Sequence, residues 1–183
     1  MRLFRSFRDD RALQRGSASY VAALMAEPAN ADVEWLSGTA TRGDTDHATW
    51  ELRYLRRALG IVVAQRDALA DRTPSEVLRR LASRMARDPN VDGPLRELAD
   101  RQFNARLSAY RDALTSRGHG TPASRVAQNL LAFAGGPIRA NDPAVVRGAG
   151  LVLEYLRLAT ETLHASFGTA ELPDDIPPSQ VAR

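Results

Sequence analysis

Three segments of this chain open in the same way, with a capping side chain followed at once by proline. Thr121-Pro122 and Asp142-Pro143 are two of them. The third, Thr73-Pro74-Ser75-Glu76, adds a glutamate at the third helical position and so spells a complete capping box. A start of this kind works because a side-chain oxygen accepts one orphan N–H of the first turn. Proline has no N–H to satisfy and brings a φ already close to helical. Asp44 or Thr45 can cap a further segment after Gly43. Stops are equally legible at Asp88-Pro89, Gly118-His119-Gly120, Gly135-Gly136-Pro137 and Gly168. Between these marks the spacing predicts helices over 45–71, 74–87, 94–117, 122–134 and 143–167, with shorter ones within 18–27 and 30–37 divided by Pro28. No strand-like alternation between hairpin turns occurs. The expected fold is all-α.

The apolar spacing says how such helices would pack. Ala48, Leu52, Leu55, Leu59, Val62 and Leu69 recur in a 4-3-4-3 pattern, broken only by Arg66. That is the seam of a helix lying along its neighbours at a shallow angle. The last helix repeats it with Val146, Ala149, Leu153, Leu156, Thr160, Leu163 and Phe167, and the 94–117 helix with Leu95, Ala99, Phe103, Leu107, Tyr110 and Leu114. At 1.5 Å per residue these three would each be about 36–40 Å long and suited to side-by-side packing. Short loops favour antiparallel neighbours. The expectation is therefore a single antiparallel bundle of about five principal helices over 16–167, with 45–71 and 143–167 central. Short N-terminal helices would precede it, a basic amphipathic segment would occupy 1–15, and a proline-rich extended tail would occupy 168–183. Its expected core is Leu52, Leu55, Leu59, Val62, Phe103, Tyr110, Leu130, Leu153, Leu156 and Leu163. Gly148 and Gly150 would mark a close crossing or a kink.

Composition removes several function classes. All 25 basic residues are arginine and there is no cysteine. Schiff-base and P-loop lysine chemistry, disulfides, thiolate metal sites and cysteine nucleophiles are thereby excluded. No apolar run approaches the roughly 20 residues of a membrane span. Tyr20–Ala26 follows Asp9 and Asp10 and does not read as a signal peptide, so a cytoplasmic location is expected. Charge is uneven: residues 16–52 hold one arginine against six acids, whereas 53–87 hold nine against three.

Two constellations invite a chemical reading. His47, Glu51 and Tyr54 share a stripe, and Glu161 and His164 have the i, i+3 spacing by which di-iron bundles present ligands from one helix. His47, Glu51, Glu161 and His164 would be the ligands of a ferritin-like, metal-dependent oxidoreductase. Against it, Asp44 is better placed as a cap, and Glu161 shares a flank with Arg157 that suits a solvated salt bridge. Similarly, Glu51 can simply pair with an arginine. Arg66 reads as a stem packed along the seam with its head at the bundle's end. The second constellation is basic: Arg53, Arg56 and Arg57 on one helix and Arg80, Arg84 and Arg87 on the next would converge on phosphates or carboxylates if the two helices form a hairpin.

The preferred expectation is a non-enzymatic helical interaction protein without a cofactor. It would bind a protein partner or a second copy of itself through Leu3, Phe4 and Phe7 and through the arginine block. Nucleic acid or an anionic membrane surface is the alternative partner for that block.

Overall fold

The computed structural model describes residues 2–136 and 142–169, with the side chains of residues 2–9 left out of the description. Every regular element among them is helical: α1 (Arg2–Leu24), α2 (Asn30–Thr39), α3 (Thr45–Asp67), α4 (Arg72–Met85), α5 (Arg96–Thr115), α6 (Pro122–Phe133) and α7 (Pro143–Phe167), with one 3-10 turn at Gly93–Leu95. The all-α reading holds. No described helix is long and apolar enough to cross a membrane.

Three caps form as the residue types require. Asp44 accepts the His47 N–H at 2.9 Å, Thr121 accepts the Ser124 N–H at 3.1 Å, and Asp142 accepts the Ala144 N–H at 2.9 Å. The capping box at 73–76 does not form. Helix α4 begins two residues earlier, Thr73 is buried, and Glu76 instead takes Arg79 at 2.6 Å. A bidentate charged partner outcompetes a backbone N–H for that carboxylate.

The first helix corrects the sequence reading most. It runs through Gly16 and across the expected boundary at residue 15, where only short N-terminal helices were anticipated. Gly16 is interior to the helix because of what lies outside it. A Cβ there would sit 2.6 Å from the Phe167 ring and 2.7 Å from the Ser166 carbonyl oxygen. Gly60 plays the same part on α3, where a Cβ would stand 2.2 Å from the Leu24 side chain. Two missing side chains thus let α1 lie close against α7 and α3. The Tyr20 hydroxyl then reaches the Gly60 carbonyl at 2.8 Å. Gly148 serves the expected close crossing, where a Cβ would stand 3.0 Å from that of Ala127 on α6, whereas a Cβ at Gly150 would meet nothing among the described residues.

Helix α3 is central and packs on α1, α2, α4, α5, α6 and α7. Helix sense is mixed where an antiparallel arrangement was expected. Arg56 of α3 lies over the Tyr155 ring of α7, and eleven residues on, Asp67 lies beside Thr160 and His164. Numbers rise together along both helices, so α3 and α7 run the same way. By contrast α5 and α6 are antiparallel, with Asn129 bonded to the Ala109 carbonyl and Arg125 to that of Ala113. The short-loop rule governs consecutive helices only, and α3 and α7 are not consecutive.

Seven of the ten expected core residues are buried: Leu52, Leu55, Leu59, Phe103, Tyr110, Leu130 and Leu163. Each such side chain contributes about 1.5–3 kcal/mol on leaving water. Val62 and Leu156 are only half-buried, and Leu153 is 58% exposed. On α7 the packed stripe is Val145, Gly148, Val152, Tyr155, Ala159 and Leu163, largely one position before the predicted one. The cause is that α7 is apolar on two sides. Val152 and Leu153 are neighbours, as are Tyr155 and Leu156, and the pattern alone does not say which of the two faces the core.

Candidate functional site

The arginine block does not converge. On α3, Arg53 pairs with Glu27 at 2.8 Å, and Arg56 donates to the carbonyls of Ala26 and Glu27 at 3.1 Å each, binding the end of α1. Arg57 is 2% exposed and pairs with Asp88, itself 4% exposed, at 3.2 Å. Burial pulls the Arg57 pKa below its usual value despite that partner. Burial alone would raise Asp88. The N–H of Asn90, the Arg57 charge and the Asn90 and Arg57 side chains outweigh it and hold the carboxyl below the ordinary range. On α4, Arg80 pairs with Glu76 at 3.5 Å and with Gln14 of α1. Arg87 donates to Ser83 at 2.7 Å, and Arg84 and Arg87 are the exposed members. Four of the six guanidiniums are occupied in holding helices and loops together.

The carboxylate–histidine set is divided as well. Glu51, 1% exposed, receives both the Nε and Nη2 donors of Arg106 from α5. The His47 imidazole lies 3.4 Å from the same carboxylate. Burial pulls at Arg106, but hydrogen bonds and charge from Glu51 raise its pKa above the usual value. Its guanidinium also covers the Tyr54 ring at 5.1 Å and the Phe133 ring at 4.5 Å. Beside this cluster the Tyr110 hydroxyl is buried with no hydrogen-bond partner among the described residues, and burial drives its pKa well up. A carboxylate held on both oxygens by a guanidinium is a poor base and a poor metal ligand. It is a good clamp between α3 and α5.

Glu161 and His164 lie elsewhere. Glu161 is exposed and bonded to Arg157 at 2.7 Å, while His164 acts on Asp67 at the far end of α3. Twenty residues of helix, about 30 Å, separate that end from His47. The four ligands of the oxidoreductase reading therefore do not meet, and no group of three or more His, Asp or Glu among the described residues is placed to hold an ion. Another acidic pattern emerges at the α4–α5 connection. Asp88-Pro89-Asn90-Val91-Asp92-Gly93 has the opening spacing of a helix–loop–helix calcium loop. The Asp88 carboxylate is already taken by Arg57 and Asn90, and Ala99 stands at the twelfth position where the bidentate glutamate belongs.

The feature that sequence reasoning missed is an open groove. It is about 650 Å³ and is lined by four helices: Val62, Gln65 and Arg66 of α3; Arg111, Leu114 and Thr115 of α5; Pro122 and Ala123 at the start of α6; Leu153 and Leu156 of α7. All three expected core residues that escape burial, Val62, Leu153 and Leu156, line this one space. The wall near α6 is rigid, because Arg125 donates to the carbonyls of Ala113, Ser116 and Gly120 at 2.8–3.0 Å and ties down the α5–α6 connection. Two cations stand in the lining. Arg66 is neutralised by Asp67 through two bonds of 2.6 and 2.7 Å, its head at the helix end as expected. Arg111 is exposed and meets only the neutral Gln65, at 3.3 Å, among the described residues. The cavity is of ligand size and mostly apolar, with one cation unneutralised by any described carboxylate. A sequence signal existed, namely two apolar stripes on one helix. A helix apolar on both sides needs cover on both.

The expected N-terminal contact face of Leu3, Phe4 and Phe7 lies outside the described side chains, and the expected tail, beyond Thr169, outside the described residues. His119 is exposed in the α5–α6 connection. Comparison with protein-family models, with curated proteins and with solved structures returns no match.

Proposed function

We propose that the protein is a non-enzymatic helical interaction protein whose docking site is the α3–α5–α6–α7 groove. The partner segment carries two or three apolar side chains next to a carboxylate. The observation that carries this reading is the gathering of Val62, Leu153 and Leu156, apolar by pattern and uncovered in the fold, around one rigid-walled space beside Arg111. Apolar side chains entering it would supply affinity, and a charge-assisted bond to Arg111 would set orientation. A second copy of the chain, giving a homodimer, is one source of such a segment, and a cytoplasmic protein partner is another. The clamped state of Glu51 and the separation of its histidine partners favour binding over catalysis.

The test is a selection of random twelve-residue peptides displayed against the full chain, with Leu153→Asp as the counter-target. Enrichment of sequences with paired apolar anchors and an acid, lost on the counter-target, is the expected result. Failure to enrich any peptide that distinguishes the two proteins overturns the reading.

A further inference from the structure

We infer that the partner is a second copy of this chain, paired isologously so that the two α7 helices lie antiparallel along their exposed stripes. This rests on the groove face being a docking site and names what docks there. Three observations converge on that occupant.

The first is an uncovered seam. Val146, Ala149, Leu153, Leu156 and Thr160 keep a 3-4-3-4 spacing along one side of α7, one position beyond the packed stripe. Val146 is 69% and Leu153 58% exposed, and Ala149, Leu156 and Thr160 are half-buried. A stripe of this period is the contact line of a helix lying along another helix. Here its centre opens on the groove instead.

The second is that the stripe complements itself when reversed. With the two-fold axis between residues 154 and 155, Leu153 comes level with Leu156 of the second copy, and Ala149 with Thr160 of the second copy. Large side chains meet at the centre and small ones outside them. Each layer occurs twice, as an isologous contact requires. Helix α7 also has the chemistry of the docking segment, since the exposed Glu154 stands beside Leu153.

The third lies on the shoulder of the stripe. Gly150 sits inside α7, where glycine weakens a helix relative to alanine, yet a Cβ there would meet no described atom. In the antiparallel pair, Arg157 of the second copy comes level with residue 152, midway between Gly150 and Glu154 on that shoulder. The bare backbone at Gly150 leaves room for the arginine stem, and Glu154 meets its charge. Within its own chain Arg157 has only the exposed pair with Glu161, one turn away, to give up.

The layers from 149 to 160 extend over about 16 Å of helix. A seam of that length gives a contact at the small end of specific interfaces, so the dimer is weak, with a Kd on the order of 100 µM.

The experiment is sedimentation equilibrium of the full chain from about 5 to about 500 µM, where the mass is expected to rise from that of one chain toward that of two. Leu153→Asp is expected to abolish the rise. Glu154→Arg and Arg157→Glu, each alone, set like charges against one another twice and are expected to weaken association roughly tenfold. Both in one chain exchange the partners and are expected to restore association to within about threefold of wild type. Circular dichroism melts matching wild type show that the helices are intact in every variant. A wild-type mass of one chain throughout overturns the inference, as do a rise that survives Leu153→Asp and a combined variant no better than the single ones. The peptide selection, run far below the dimer Kd, separates this from failure of the docking site itself. A monomeric chain that still selects peptides sensitive to Leu153→Asp removes the second copy and leaves the groove. A monomeric chain that selects none removes both.

Discussion

The two ends of α3 handle their side chains in opposite ways. In its first half, Glu51, Arg53, Arg56 and Arg57 are charged, and every one is engaged within the chain: Glu51 by Arg106, Arg53 by Glu27, Arg56 by two carbonyls, Arg57 by Asp88. In its last turns, Val62 is apolar and faces open space with Leu153 and Leu156. The arginines, which pattern marks as a binding surface, serve the chain's own fold. Val62, Leu153 and Leu156, which pattern marks as core, line open space instead. Residue type says what a side chain can do. Only the neighbours supplied by the fold say whether the demand has already been met.

The contrast can be broken most forcefully at the buried charge pair. Asp88→Ala leaves Arg57 buried without its counter-ion and is expected to cost about 3–5 kcal/mol in denaturant unfolding. Replacing both, as Arg57→Met with Asp88→Leu, should recover most of that loss, since the desolvation of two charges disappears with them. Nearly as large is Leu59→Ala in the fully buried seam, expected to cost about 2–5 kcal/mol. Leu153→Ala, on the same kind of pattern but exposed, should stay within about 0.5 kcal/mol of wild type, and that disparity is the sharpest form of the comparison. Intermediate in size is the acid response. Asp88 is held below the ordinary carboxylate value of 3.8, so its contribution is complete above that value and is lost as pH falls below it toward the lowered folded value. Urea midpoints should therefore fall through that window, and the Arg57→Met, Asp88→Leu protein should lose less there. A smaller loss than at the charge pair, about 1 kcal/mol, is expected at the groove's wall, where Thr121→Ala removes the α6 cap.

How far the fold could be read in advance depended on whether the deciding partner was local. Asp44, Thr121 and Asp142 cap N–H groups two or three residues away, so the starts of α3, α6 and α7 were legible. The boundary expected at residue 15 is absent because Gly16 seats against the Phe167 ring, which lies 151 residues further on. Glu76 has the spacing of a capping box, but Arg79 one turn away competes with the backbone N–H and takes the carboxylate. His47 and Glu51 were correctly placed on one stripe, and the partner that disables them as ligands, Arg106, comes from a helix the stripe does not contain. The groove was the least legible feature. Both α7 stripes are apolar, and the choice between them belongs to the packing of α6 and α1, not to α7.

The close seat of α1 against α7 also sets an order of events in time. Residues 16 and 167 meet, so α1 finds one of its principal supports only when α7 has been made. At about 5–20 residues per second, roughly 7–30 s pass between completion of residue 24 and arrival of residue 167. During that interval Gly16 has no Phe167 ring to seat against, and contacts this distant in sequence form slowly. The nascent chain therefore holds α1 without one of its supports until α7 has been made and docks against it.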